Sequence, residues 1–156
     1  MRKLVAIVVL VLAAGLWAQG AAPEEGRTRF CAVEIYLDPK GTPLAAYQLE
    51  FTVTNATAKI VGIEGGGHAA FREPPFYDPK AMQNDRVILG AFSTAKASEV
   101  PNARTRVARV HLQLSGTNSP QYELKVQAAA DSEGKRILVE AEVKQEIEAG
   151  RIRQEN

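Results

Sequence analysis

Alternating apolar and polar residues are the clearest pattern in this chain. Between Leu44 and Val53 every second residue is apolar, and this row consists of Tyr47, Leu49, Phe51 and Val53. A period of two predicts a half-buried β-strand, because successive side chains of a strand point to opposite faces. A polar turn at Thr54–Thr57 follows, and Lys59–Glu64 predicts a second strand that ends at Gly65–Gly67. Two consecutive strands are therefore expected here.

Similar patterns predict five more strands. They are Phe30–Leu37, Val87–Phe92, Arg104–Ser115, Tyr122–Ala130 and Ile137–Val143. Strict alternation places Arg106 with Ala108, and Tyr122 with Ala128, in inward-facing rows. Seven strands joined by turns, with no convincing helix between them, predict an all-β fold: an antiparallel two-sheet β-sandwich.

The longest predicted loop runs from Gly65 to Asp85 and contains three aromatic residues, Phe71, Phe76 and Tyr77. Loops of this length within a domain are uncommon and are often functional. The three rings are candidates for a platform on which a sugar ring or a partner side chain stacks. The favoured alternative is that they hold the loop against the sandwich.

The first 20 residues have the features of a secretory signal. Arg2 and Lys3 precede a 14-residue apolar run, Leu4–Trp17, and Ala18 and Gly20 are small residues at a cleavage site. The run is shorter than the roughly 20 residues of a membrane-spanning helix. We predict a signal peptide at 1–20, a flexible leader at 21–29, the sandwich at 30–144 and a charged tail at 145–156. The protein is then exported, to the medium, the periplasm or the cell surface, without stable membrane insertion after cleavage.

The net charge and the cysteine content limit the classes of function that fit this chain. Removing residues 1–20 leaves 136 of 156 residues, with 17 basic and 18 acidic side chains and a net charge of −1. This balance gives no electrostatic signature of nucleic-acid binding. A single cysteine, Cys31, cannot form an internal disulfide, and its place in the apolar row of the first strand predicts a small buried side chain.

The strands resemble those of the cohesin modules of cellulosomal scaffold proteins. The motif Ile60-Val61-Gly62-Ile63 after an alternating strand and turn, and the later segments Arg86–Phe92 (RVILGAF) and Arg106–Leu114 (RVARVHLQL), carry the resemblance. It covers most of 32–143, although such alternation is also common in other β-sandwiches, including carbohydrate-binding modules. The resemblance implies a jelly-roll-like sandwich that docks a protein partner on one sheet face.

In cohesins this face is built largely from the strands that match Leu44–Val53, Val87–Ser93 and Tyr122–Ala130. The residues expected to point outward from them are Ala46, Gln48, Glu50, Leu89, Ala91, Ser93, Glu123, Lys125 and Gln127. A small apolar centre with a polar rim is typical of a protein–protein interface. Ala46 and Gln48 stand where many cohesins have the Asn and Asp that bind the dockerin helix, so the implied dockerin-like partner differs from an ordinary dockerin.

No motif for catalysis, a metal or a cofactor is visible. His68 lies in a glycine-rich loop and His111 on the polar side of a strand, and neither belongs to a nucleophile or metal-binding motif. We therefore expect an exported, non-catalytic binding module linked to polysaccharide degradation or extracellular assembly. The first alternative is a carbohydrate-binding module that binds polysaccharide through Phe71, Phe76 and Tyr77 or through the open sheet face. A second alternative is a purely structural envelope protein with no soluble ligand.

Overall fold

Seven β-strands form two antiparallel sheets in the computed structural model, which describes residues 27–146. The strands are β1 (Arg29–Asp38), β2 (Ala46–Thr54), β3 (Thr57–Gly65), β4 (Arg86–Phe92), β5 (Thr105–Ser115), β6 (Gln121–Ala130) and β7 (Glu140–Glu146). One sheet has four strands in the order β3-β5-β1-β7, and the other has three in the order β4-β2-β6. The two sheets pack against each other, which confirms the predicted β-sandwich.

The core lies between the sheets and contains the apolar rows that alternation predicted. Val33, Ile35 and Leu37 of β1 face Tyr47, Leu49 and Phe51 of β2, and all six side chains are buried. Burial of each large side chain contributes roughly 1.5–3 kcal/mol. Cys31 is only half-buried, and its Sγ lies 4.0 Å from the Tyr122 hydroxyl.

A β-bulge in β5 changes which side of the sheet Arg106 faces. Ile35 pairs with Ala108 but Tyr36 pairs with Arg106, so Val107 is an extra residue in β5. Val107 is buried, and its carbonyl accepts a hydrogen bond from the Tyr47 hydroxyl at 3.0 Å. The prediction that Arg106 shares the inward row of Ala108 is therefore wrong, because one inserted residue reverses the alternation.

A second bulge lies in β6, next to the centre of the three-stranded sheet. Gln48 pairs with Ala128 and Leu49 with Val126, so Gln127 is the extra residue. Beyond it, Ala128 is exposed on the outer face and Ala129 is buried. The prediction of Ala128 in the inward row is thus also wrong.

The loop between β3 and β4 packs tightly on the sandwich. It contains two 3-10 turns, Ala69–Phe71 and Pro79–Ala81. A Cβ added to Gly65 would lie 1.9 Å from the Arg72 carbonyl oxygen, and one added to Gly66 would lie 2.3 Å from that of Arg106. The two glycines are therefore required by the close approach of neighbouring backbone.

The predicted terminal segments fall largely outside the described residues. The signal peptide lies entirely there, as does most of the leader and of the charged tail. β1 begins at Arg29, and Gln145 and Glu146 belong to β7 rather than to the tail. Within 27–146, no helix is long and apolar enough to span a membrane.

Candidate functional site

The three strands expected to build a binding face lie together in the three-stranded sheet. β2 is central, and β4 and β6 pair with its two sides. Side chains of directly opposed residues share a face, so Ala46, Gln48 and Glu50 mark its solvent side. We call this solvent side of β4-β2-β6 the outer face.

The structure corrects the contribution of β4 to the outer face. Gln48 pairs with Gly90, and Leu49 pairs with Leu89, which is 0% exposed and lies in the core. Ala91 also packs against the core, and Ser93 lies beyond the end of β4, where its backbone N–H donates to the Ala45 carbonyl at 2.7 Å. The expected outward positions Leu89, Ala91 and Ser93 are therefore wrong.

The residues of β4 that do face outward are Ile88, Gly90 and Phe92. They lie opposite Glu50, Gln48 and Ala46 respectively. Ile88 is 41% exposed and Phe92 64% exposed, which is unusual for large apolar side chains. The sequence does not predict which residues of β4 face outward, because the run Val87-Ile88-Leu89 is apolar at every position and shows no alternation.

The other expected positions lie on the outer face. Glu123 and Lys125 of β6 are exposed there, opposite Thr52 and Glu50. Gln127 lies at the bulge, and its side-chain amide contacts both Gln48 and Glu50. Ala128, displaced outward by the bulge, adds a small apolar position between Gln48 and the sheet edge.

Among the three candidate aromatic residues of the long loop, Phe76 alone is exposed, at 72%. Phe71 is buried and packs edge to face against Tyr47, with ring centroids 5.3 Å apart. Tyr77 is half-buried against the core. These two rings hold the loop on the sandwich, as the favoured alternative expected.

Backbone pairing with the edge of β4 places Phe76 on the outer face. Its N–H donates to the Gly90 carbonyl at 2.7 Å, and the Gly90 N–H donates back to the Phe76 carbonyl at 3.0 Å. This short pairing sets its ring beside that of Phe92, with centroids 6.1 Å apart and planes 12° apart. Phe92 is a site residue that the sequence analysis missed.

A shallow cleft of about 370 Å³ lies beside this aromatic pair. Small residues form its base, and Gln48 contributes an amide. The residues around it are Ala46, Tyr47, Gln48, Phe76, Gly90, Ala91, Phe92, Ala128, Ala129 and Ala130. All of these side chains are uncharged, so the cleft favours a neutral ligand group.

Polar residues border the apolar part of the outer face. Arg86 pairs with Glu50 at 2.6 Å, and Gln127 donates to the same Glu50 oxygen at 3.4 Å. The hydrogen bond from Arg86 holds the pKa of the Glu50 carboxyl below its usual value. Glu50 therefore stays ionised on this border at neutral pH.

The solvent side of the four-stranded sheet has a different character. Its charges pair across strands: Arg106 with Glu34 at 2.5 Å, Arg104 with Glu142 at 2.7 Å, and Arg109 with Glu146. The Arg104 guanidinium also lies 3.7 Å above the Tyr36 ring. Most charged side chains on this side are thus ion-paired within the protein, although Nε of Arg106 and Nε of Arg109 are buried without a hydrogen-bond partner.

Both histidines have structural partners. Nδ1 of His68 accepts a hydrogen bond from the Ala70 N–H at 3.2 Å and caps the first 3-10 turn. Nε2 of His111 lies 2.7 Å from a Glu64 carboxylate oxygen. Across 27–146, no group of three His, Cys, Asp or Glu side chains is arranged to hold a metal ion.

Comparison of the chain with protein-family models, curated proteins and solved structures found no match.

Proposed function

We propose that this protein is a non-catalytic binding module of cohesin type that docks a protein partner on the outer face. The observation that carries the proposal is the contrast between the two solvent-facing sides of the sandwich. One side carries mainly paired charges, with Phe30 as the large exposed apolar side chain of its strands. The outer face instead groups Phe76, Phe92 and Ile88 around small residues and borders them with polar groups. An apolar centre with a polar rim is the usual layout of a protein interface.

The size of the apolar area supports a binding role. From their exposed fractions, Phe76, Phe92 and Ile88 together present on the order of 300 Å² of apolar surface. Patches of about 300–600 Å² on monomers are often functional. Aromatic side chains in such a centre typically supply much of the binding energy, while the surrounding polar contacts exclude water.

The partner follows from the sequence resemblance. Cohesins bind dockerins with the strands that match β2, β4 and β6, so a dockerin-like exported protein is the partner class that we propose. Ala46 lies at the base of the cleft and Gln48 bonds to Gln127, instead of the Asn and Asp found in many cohesins. The partner therefore meets a more apolar surface than an ordinary dockerin does.

Site-specific photocrosslinking tests this proposal. A photoreactive amino acid at Ala128 should crosslink one defined partner from the secreted proteins of the host, and the purified partner should then bind the unlabelled module. Ala128→Asp should abolish that binding, because burial of an unpaired carboxylate costs several kcal/mol. Ala103→Asp, at an exposed loop position away from the outer face, is the matched control.

Phe92→Ala should weaken binding of the same purified partner by about ten-fold or more. Phe30→Ala is its control, because Phe30 has the same 64% exposure but lies in the other sheet. Unchanged binding in both outer-face variants, with thermal melts showing that they are folded, would contradict docking on the outer face.

A second candidate function is carbohydrate binding. The observation that favours it is the near-parallel pair of Phe76 and Phe92 beside an uncharged cleft, since aromatic faces are suited to stacking on sugar rings. The two candidates differ in the ligand retained: a polysaccharide held by Phe76 and Phe92 in the absence of any protein partner would favour the second.

A further inference from the structure

Phe92 borders two depressions rather than one. On one side is the cleft with Phe76 and the small residues of the outer face. On the other is a depression of about 540 Å³ between the first 3-10 turn and the segment after β4, which includes Ala69, Thr94 and Ala95. Because Phe92 lines both, the two depressions are adjacent at this end of the sheet, and we call the pair the Phe92 track.

The chemistry of the Phe92 track limits its ligand. Glu99 is the single charged residue among those lining it within 27–146, and its carboxylate accepts a hydrogen bond from the Lys96 N–H at 3.1 Å. The track therefore offers no cationic side chain to attract an acidic polymer. Gln48, Ser93 and Thr94 provide amide and hydroxyl groups that suit the hydroxyl groups of a sugar.

The size of the two depressions favours a narrow ligand. Each falls within the roughly 300–1,000 Å³ typical of small-ligand sites. A track in two parts joined at an aromatic ring suits a ligand made of consecutive small units.

We infer that the Phe92 track binds a neutral, linear polysaccharide chain. One sugar ring stacks on Phe76 and Phe92, and neighbouring rings of the same chain lie over Ala46 and Ala128 on one side and beside Thr94 on the other. This inference rests on the second candidate function and specifies its ligand as an uncharged chain that is longer than one or two rings.

Titration calorimetry with oligosaccharides of defined length tests the inference. The probes are the β-1,4-linked di-, tetra- and hexasaccharides of glucose, xylose and mannose, with oligogalacturonate as an acidic comparison. Affinity for at least one neutral series should rise about ten-fold or more from the disaccharide to the hexasaccharide, because more rings contact the track. Oligogalacturonate should bind more weakly than the neutral hexasaccharide.

Two variants separate the parts of the track. Phe92→Ala should weaken hexasaccharide binding by about ten-fold or more, whereas Phe30→Ala should not change it. Thr94→Arg fills the second depression, so it should remove the advantage of the hexasaccharide over the disaccharide and leave disaccharide binding unchanged. Thr117→Arg, at the exposed turn between β5 and β6, is the matched control.

Two results would overturn the inference in different ways. Equal affinity for disaccharide and hexasaccharide would mean a site for no more than two rings, which rejects the Phe92 track but keeps carbohydrate binding. No binding of any neutral hexasaccharide at millimolar concentration would reject both the Phe92 track and carbohydrate binding. Protein docking on the outer face would then be tested by the crosslinking experiment alone.

Discussion

Residues on the two sides of β2 differ sharply in how much they contribute to the stability of the fold. Phe51 is fully buried and stacks on Tyr122, with ring centroids 6.0 Å apart, whereas Gln48 is exposed on the outer face. Phe51→Ala should therefore cost about 3–5 kcal/mol of unfolding free energy. Gln48→Ala should cost no more than about 1 kcal/mol.

Urea unfolding of both variants measures these two costs. A larger cost for Gln48→Ala than for Phe51→Ala would mean that β2 is shifted by one residue, which would exchange the core and the outer face.

Glu34 illustrates a different residue-scale effect, on the side of the paired charges. Hydrogen bonds from the Tyr36 hydroxyl at 2.7 Å and from Arg106 hold the pKa of the Glu34 carboxyl below its ordinary value of 4.5. A lowered folded-state pKa gives stability that is present above the unfolded-state pKa and is lost as the pH falls through the folded-state pKa. The contribution of Glu34 therefore disappears in acid.

Glu34→Gln should reduce this pH dependence. Between about pH 7 and about pH 3, the melting temperature of the variant should fall less than that of the wild type. Glu73→Gln, at an exposed loop position, should behave like the wild type. An identical pH profile for Glu34→Gln and wild type would show that the contacts with Tyr36 and Arg106 make no net contribution to folding.

At the scale of elements, alternation in the sequence predicted the strands well because each sheet has one buried face. The rows of β1 and β2, centred on Ile35 and Leu49, lie in the core as expected. Alternation failed at Arg106, just before the bulge at Val107, and at Ala128, just after the bulge at Gln127, because an inserted residue reverses the sides on its far end. It also failed in β4, whose apolar run fits either register until pairing with β2 selects one.

The candidate site was less predictable than the fold for the same reason. The three strands of the outer face could be chosen from the sequence resemblance, but the exposure of Phe92 depends on the register of β4. The pairing of Phe76 with Gly90 depends on the path of a long loop without periodicity. Neither feature has a local sequence signal, so the aromatic pair emerges only from the three-dimensional structure.

The bulge in β6 gives a direct test at this scale. Ala128 is exposed and Ala129 is 3% exposed, although strict alternation predicts the reverse. Ala129→Asp should destabilise the fold by several kcal/mol, because it buries a carboxylate without a partner. Ala128→Asp should change the unfolding free energy by no more than about 1 kcal/mol.

Equilibrium unfolding of these adjacent variants compares the same substitution on opposite sides of one strand. A similar loss of unfolding free energy at the two positions, or a larger loss at Ala128, would mean that the bulge lies elsewhere in β6. Ala128 would then not form part of the base of the cleft.

At the scale of the whole molecule, three of the four edge strands of the sandwich are partly covered. Backbone groups of Ile60 in β3 bond to Asn84 at 2.8 Å and Gln83 at 2.9 Å, and Phe76 covers part of β4. The edge of β6 is met by the segment around Ile137, whose N–H donates to the Ala129 carbonyl at 2.9 Å. Covered edges disfavour strand addition by another chain.

Covered edges and a small apolar patch together predict a monomer. The exposed apolar area of the outer face, on the order of 300 Å², is small beside the apolar part of an obligate homodimer interface, which buries about 2,000 Å² or more in total. The remaining edge strand, β7, carries the charged residues Glu140, Glu142 and Lys144, which oppose edge-to-edge pairing.

Sedimentation velocity of the chain without residues 1–20 should give one species with the monomer mass at micromolar concentration. Phe92→Ala should leave this mass unchanged. A dimer that dissociates in Phe92→Ala but persists in Phe30→Ala would show instead that the outer face binds a second copy of the chain, and that copy would occupy the surface proposed for the partner.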